Sequence, residues 1–369
     1  MAVPARGRVR VDLSSDTATR PTPAMRRCIA AAEVGDEQRR EDPTVTALEE
    51  QVAELCGQEA AVFLPSGTMC NIIAFFLLCR PGDEVILDRL AHPAVSENAG
   101  PAVHSRVSLM RLDAPDGVFT GAQVERGLQP RGHNTARTSM ISVENTSNRR
   151  GGTIWSRQQI DDVLGAARRN GLHAHLDGAR LFNAAIGTGA SVASLSAGFS
   201  SVCVDLSKGL GCPMGAVLCG SASFAEEARW AKHLFGGALR QAGIAAAAGI
   251  YALAHHVSRL ADDHALARRF AEGIEALPGV ALAQPRVDSN IVQFRVDGTN
   301  VPAEELVHRM EERGMRLGLL PPNVVRVVTH LDVTDEDVEQ ALAGLRSELV
   351  PRSADRSQPH RAAARSDSR

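Results

Sequence analysis

The chain is expected to fold as an α/β protein with a mostly parallel sheet, and three features of its 369 residues point that way. Short apolar runs of strand length recur along it. Segments with apolar residues at helical spacing separate them, and glycine or proline stands at many of the junctions. Strands joined through helices pair in parallel, and a parallel sheet is covered on both faces.

The elements follow in order. Between Asp42 and Cys56, apolar residues fall at Val45, Leu48, Val52 and Leu55, which is helical spacing, and Gly57 stops the helix as a C-terminal cap. Ala60 to Leu64 reads as a buried strand. The turn Pro65-Ser66-Gly67-Thr68 leads into a long apolar helix reaching about Cys79. Pro81-Gly82 breaks it, and Glu84 to Leu87 is the next strand. Further strands are read at Ser139 to Val143, His173 to Leu176 and Val202 to Leu206, with a helix at Ser156 to Asn170 closed by Gly171.

After about residue 255 the pattern changes. An amphipathic helix at His255 to Leu277 precedes strands at Asn290 to Val296 and Val324 to Thr329, which flank a helix at Ala303 to Gly314. The chain therefore divides into an N-terminal segment (1–20), a large domain (21–255), a small C-terminal α/β domain (256–350) and a tail (351–369). Rich in Arg, Ser and Ala, the tail is expected to be disordered.

Hydrophobic content of 44% and a formal net charge of -3 describe an ordinary globular protein. That balance gives no electrostatic case for nucleic acid or a membrane surface. The most apolar stretch, Asn71 to Cys79, falls well short of the roughly 20 residues that span a bilayer. No apolar run follows the arginines of Met1 to Arg10, so a secretory signal is not expected. The seven cysteines are scattered without CxxC spacing and read as free, mostly buried thiols. A cytoplasmic protein without a metal is expected. Among 40 basic residues only Lys208 and Lys232 are lysines, which confines any amine nucleophile to two positions.

The chemistry is read from two strand ends. In His175-Leu176-Asp177-Gly178-Ala179-Arg180, an apolar strand delivers a carboxylate at its C-terminal end; alone, this is more often a helix cap. In Val202 to Gly211, a second apolar strand ends in Ser207-Lys208 and glycines. A lysine there is costly unless it is paired or modified. A carboxylate and a lysine on neighbouring strand ends suit pyridoxal 5'-phosphate: the lysine carries the aldehyde as a Schiff base, and the acid keeps the pyridine nitrogen protonated. Ser66-Gly67-Thr68, a small-residue turn opening a helix, supplies the phosphate cradle.

Taken with these, the segments Ser15-Asp16-Thr17, Thr19-Arg20-Pro21, Glu41-Asp42-Pro43-Thr44, Pro65 to Met69, Ala91-His92, Glu144-Asn145-Thr146, His175 to Arg180, Ser207 to Gly211, Gly236-Gly237, Arg240 to Gly243 and Val328 to Asp332 resemble the L-threonine aldolase and β-eliminating lyase family of fold-type-I enzymes, from about Asp12 to Asp332. The resemblance implies a large domain with a mostly parallel seven-stranded sheet, a small C-terminal domain, and retro-aldol cleavage of a β-hydroxy-α-amino acid to glycine and an aldehyde. It implies that Lys208 binds the coenzyme, with Ser207 beside it, that Asp177 pairs with the pyridine nitrogen, and that Gly67 and Thr68 hold the phosphate. Arg180, Arg326 and Ser15 would bind the substrate carboxylate. His92 would lie over the ring and His133 would approach the β-hydroxyl. Lys232 and Arg240 would sit near the phosphate across a subunit boundary, in a homotetramer built from dimers.

The chain departs from the family pattern in three places. Arg39 and Arg40 stand where Tyr-Gly is usual, Ser96 where an aromatic is common (with Pro93 also unusual), and Ser147-Asn148 where His-Asn is usual. These leave room for a related lyase or transaldolase acting on a bulkier or substituted substrate. A coenzyme-binding protein without catalysis is the reading from another class.

Overall fold

Alternate residues of the apolar runs face two different cores, and this is what makes them strands. Phe63, Val202 and Val204 join one buried cluster with Leu48 and Ile141. Val62, Leu64 and Cys203 join another with Ile73 and Phe75. A side-chain period of two delivers each residue to one face or the other of a sheet buried on both sides. The computed structural model describes residues 9–130 and 132–349; the expected disordered tail lies outside the described residues.

Strands are numbered along the chain. β1 is Val11–Asp12. The large sheet contains β2 (Ala60–Leu64), β3 (Glu84–Asp88), β4 (Ser108–Leu112), β5 (Thr138–Glu144), β6 (His173–Gly178), β7 (Ser201–Asp205) and β8 (Ala216–Gly220), in the order β2-β8-β7-β6-β5-β3-β4. β8 pairs antiparallel with β2 and β7 and every other pair is parallel, so the sheet is the mostly parallel seven-stranded one expected. β4 and β8 are additions to the strands read from the sequence. β8 follows β7 through a tight glycine-containing connection rather than a helix, so no change of period announces it.

The remaining strands are β9 (Ala281–Leu282), β10 (Ile291–Arg295), β11 (Met315–Arg316), β12 (Gly318–Leu320) and β13 (Val324–Val328). An antiparallel sheet runs β12-β13-β10-β9, and β1 pairs in parallel with β11. Val11 and Leu13 are buried with Phe270, Phe294, Leu306 and Val325, so residues 11–13 pack into the core of the chain's last third.

The helix expected at His255 to Leu277 is a single helix, Leu260–Glu275, that starts five residues later than read, and a separate helix, Gly243–His255, ends where the reading began. His256 is turned inward, its Nδ1 2.7 Å from the Leu210 carbonyl, and fully buried Leu260 opens the second helix. Capped helices match their readings more closely. Pro43–Cys56 starts at Asp42, whose side chain accepts from the Val45 amide, and ends at Gly57 with φ +63°. Six of the cysteines are buried, Cys28 is exposed, and all are free. Among the described residues no helix is long and apolar enough to cross a membrane.

Candidate active site

The C-terminal ends of β5, β6 and β7 emerge side by side, with Glu144 opposite Asp177 and Asp177 opposite Cys203. Ligands collect at such strand ends in an open α/β sheet. Asp177 is buried there, accepting from the Ala179 amide (3.1 Å) and from the Asn71 side-chain amide (2.8 Å). Asn71 is polar within the otherwise apolar face of the Gly67–Leu78 helix. Its oxygen lies 3.0 Å from His175 Nε2, and His175 Nδ1 lies 2.8 Å from the Ser201 hydroxyl. Burial pushes His175 down to about 4, so it is neutral. Its Nε2–H then donates to Asn71, which turns the amide nitrogen of Asn71 toward the acids.

The same nitrogen of Asn71 donates to Glu97 (2.8 Å), and Glu97 also bonds His92 Nδ1 at 2.7 Å. Burial alone would lower the pKa of His92. The Glu97 hydrogen bond and the charges of Asp177 and Glu144 outweigh it and hold His92 above the ordinary histidine range. His92, Glu97 and Asp177 form the one group of potential metal ligands among the described residues, and the shared donor Asn71 accounts for their proximity.

Glu144 accepts from the backbone amides of His92 (3.1 Å) and Asn148 (3.3 Å). Burial, and then the Asp177 charge, push it up to about 7. Folding therefore takes up a proton at Glu144 between the ordinary glutamate pKa of about 4.3 and this value, and stability falls as pH rises through that window. Thermal unfolding of the coenzyme-free protein should show Glu144→Gln losing a few degrees less than wild type between pH 5 and pH 8. Parallel melting profiles would contradict this.

Lys208 follows β7 in a tight turn closed by the Gly211 amide on the Lys208 carbonyl at 2.8 Å. Its ammonium pairs with Asp205. Burial alone would lower the Lys208 pKa, but Asp205 overcomes this and raises it. Asp205 also accepts from the amide and hydroxyl of Ser207, both at 2.8 Å. Facing them is the start of the Gly67–Leu78 helix. Ser66 caps it by accepting from the Met69 amide, which leaves the first-turn amides of Gly67 and Thr68 without partners inside the helix. A side chain at Gly67 would strike Asp205, its Cβ lying 2.7 Å from Oδ2.

Arg180 is buried and donates twice to buried Asp16, both bonds at 2.7 Å. Burial alone would raise the pKa of Asp16, but Arg180 holds it well below the carboxylate range. Arg180 thus has a resident carboxylate, because a guanidinium out of water needs a counter-charge. Its Nη1 is directed to Asn148 Oδ1 (3.2 Å), which also accepts from Arg326 (2.7 Å). Burial, with Arg180 nearby, pushes Arg326 down to about 10, and its Nε is buried without a partner. Ser15 caps the short Asp16–Ala18 turn by accepting from the Thr17 amide.

The fold therefore gathers His92, Asp177, Arg180, Ser207, Lys208 and Arg326 around the strand ends, opposite Ser66, Gly67 and Thr68. His133 is not brought there by its own chain. It is exposed in the turn before β5, at the other end of the strand from Glu144. Lys232 is buried against Glu37, 5.8 Å from the Phe63 ring centre, and exposed Arg240 pairs with Asp36 at 3.0 Å. Arg39 and Arg40 are surface residues, and Arg40 pairs with Glu226. Asp16, Asn71, Glu97, Glu144, Asn148 and Asp205 are the site residues to which the sequence alone assigns no role. A polar Asn71 inside an apolar helix and an acid ending an apolar strand were the available signals.

A parallel sheet with a lysine and a carboxylate on adjacent strand ends, facing an anion-binding helix start, is the fold-type-I architecture of pyridoxal-phosphate enzymes. Residues 12–297 match the model of the beta-eliminating lyase family, and the chain belongs to that family. It is 39% identical to a low specificity L-threonine aldolase from Escherichia coli O157:H7 over 342 residues, covering 92% of this chain and 99% of that protein. Low-specificity L-threonine aldolase 1 of Arabidopsis thaliana is 39% identical over 338 residues, covering 90% of this chain and 94% of that one. The structure of Leishmania major threonine aldolase superposes with a TM-score of 0.80 at 19% identity, covering 92% of this chain and 99% of that chain.

Proposed function

We propose that this chain is a pyridoxal-phosphate-dependent carbon–carbon lyase that cleaves a β-hydroxy-α-amino acid of the threonine or allo-threonine type to glycine and an aldehyde. The observation that carries it is the meeting of Lys208, Asp177 and the Ser66-Gly67-Thr68 turn at one end of the sheet, in a chain 39% identical to low-specificity L-threonine aldolases. The residues fit the coenzyme: Lys208 for its aldehyde carbon, Asp177 for its ring nitrogen, and the helix start for its phosphate. When bound, the coenzyme supplies the electron sink that allows a bond at Cα to break.

The protein's own groups do the rest. Arg326 and the Nη1 side of Arg180, joined through Asn148, bind the substrate carboxylate and orient the Cα–Cβ bond. With Nδ1 held on Glu97, His92 keeps Nε2 for the β-hydroxyl proton that must leave as the aldehyde forms. Asp177 is fixed by Asn71 and Ala179, so it cannot swing away from the ring position. Asp16 holds Arg180 in place.

One feature favours a bulkier or more polar β-substituent. Ser96 is small, and the Arg149 guanidinium reaches to 3.4 Å from its hydroxyl, one turn from His92. The test is a panel of threonine, allo-threonine and phenylserine with the coenzyme-loaded enzyme, assayed for glycine and each aldehyde. Stoichiometric glycine and aldehyde are expected, whereas the absence of glycine from every substrate would end the reading. Faster turnover of phenylserine would favour the bulkier class.

The oligomer belongs to the same proposal. Val103, Trp230 and Leu234 are more than half exposed, Phe76 stacks on Trp230 and Phe235 packs against Phe76, giving an apolar surface suited to self-association. A homotetramer of dimers in the cytoplasm is the assembly we infer, consistent with free thiols throughout the described residues. We likewise keep a division into large and small domains near residue 255, with residues 11–13 packed into the second core.

A further inference from the structure

We propose that Asp205 is a positioning residue for Lys208 whose carboxylate also competes with the coenzyme's phosphate for the turn at Ser66-Gly67-Thr68, so that it limits how fast and how tightly the coenzyme loads. The proposal rests on the coenzyme assignment above and concerns one residue of that site.

Three observations carry it. β7 is buried from Ser201 to Asp205, so the acid at its end is an expensive choice that the strand itself does not need. Its two oxygens are divided: Oδ1 takes the amide and hydroxyl of Ser207, and Oδ2 pairs with the Lys208 ammonium. That same Oδ2 lies 2.7 Å from where a Cβ on Gly67 would stand, so it rests against the first residue of the 12-residue helix that forms the phosphate cradle. The positive end of that helix therefore faces a resident carboxylate.

Two consequences follow, and they act on different parts of the coenzyme. A phosphate placed at Gly67 and Thr68 stands beside a like charge, which weakens the contribution of that group alone. A lysine paired with a carboxylate stays protonated, and an ammonium cannot attack an aldehyde carbon. The pairing raises the Lys208 pKa against the opposing effects of burial and Arg180, with Asp16 adding to the rise. The first effect needs the phosphate; the second does not.

The test compares pyridoxal 5'-phosphate with pyridoxal, which lacks the phosphate, on the coenzyme-free wild-type, Asp205→Asn and Asp205→Ser proteins. Affinity and the rate of appearance of visible absorbance are both measured. Asparagine keeps the size and can still accept from Ser207. It is expected to tighten pyridoxal 5'-phosphate about tenfold more than it tightens pyridoxal. Both compounds should load several-fold faster at neutral pH. Asp205→Glu should restore slow loading. An unchanged affinity ratio together with unchanged loading rates would overturn the proposal, as would weaker binding of the phosphate compound by a variant whose circular dichroism and melting match wild type. Asp205→Ser keeps the question open to an answer if the asparagine variant folds poorly. If the wild-type protein takes up neither compound, the coenzyme reading fails and this inference falls with it.

Discussion

Lys208→Ala is expected to lose the visible absorption band of bound coenzyme and to lower turnover on β-hydroxy amino acids by at least about 10³-fold. No other amine can take over. The only other lysine, Lys232, is buried at the end of the Ala222–Leu234 helix and held there by Glu37. Absorbance after dialysis against the coenzyme and a glycine-release assay read the two losses separately. A variant that kept both the band and the activity would remove Lys208 from the chemistry.

The second large effect belongs to Asp16. Asp16→Ala leaves the Arg180 guanidinium buried beside Arg326 without its carboxylate, and removing one partner of a buried pair costs about 3–5 kcal/mol. Guanidinium unfolding should show this loss, and any enzyme that remains folded should need more substrate, because Arg180 is no longer aimed at Asn148. Asp12→Ala is the control. Asp12 pairs with Arg316 where both side chains reach solvent, and about 0–1 kcal/mol is expected there. Equal losses in the two variants would mean that burial of the Asp16–Arg180 pair has no special weight.

What could be read beforehand follows from where the information lies. The Pro43–Cys56 helix was legible almost to its ends, because Asp42 and Gly57 are local signals. The Lys208 and Asp177 strand ends were legible because an apolar run that stops at a charge is a local pattern, and because lysine is rare in this chain. β8 was not legible, since a strand returning from β7 without a helix leaves no change of period. The contacts that complete the site could not be read at all. Asp16 meets Arg180 across 164 positions, and Asn71 meets Asp177 across 106. Motifs had placed Arg180 against substrate; that it already holds a carboxylate of its own chain is a fact of three-dimensional packing. His133, which only the family resemblance pointed to, stands at the far end of its strand from the site.

The pairing of β1 with β11 bears on the order of events during synthesis. Val11 and Asp12 find their partners only when Met315 and Arg316 have been made, and Asp16 is additionally held by Asn290. A nascent chain that has already formed the Lys208 turn and the start of the Gly67–Leu78 helix therefore still lacks the partners that hold Val11, Asp12 and Asp16. The strand ends that carry Asp177 and Lys208 can therefore assemble early in synthesis, whereas the corner where Asp16 meets Arg180 is completed only once β1 has found β11.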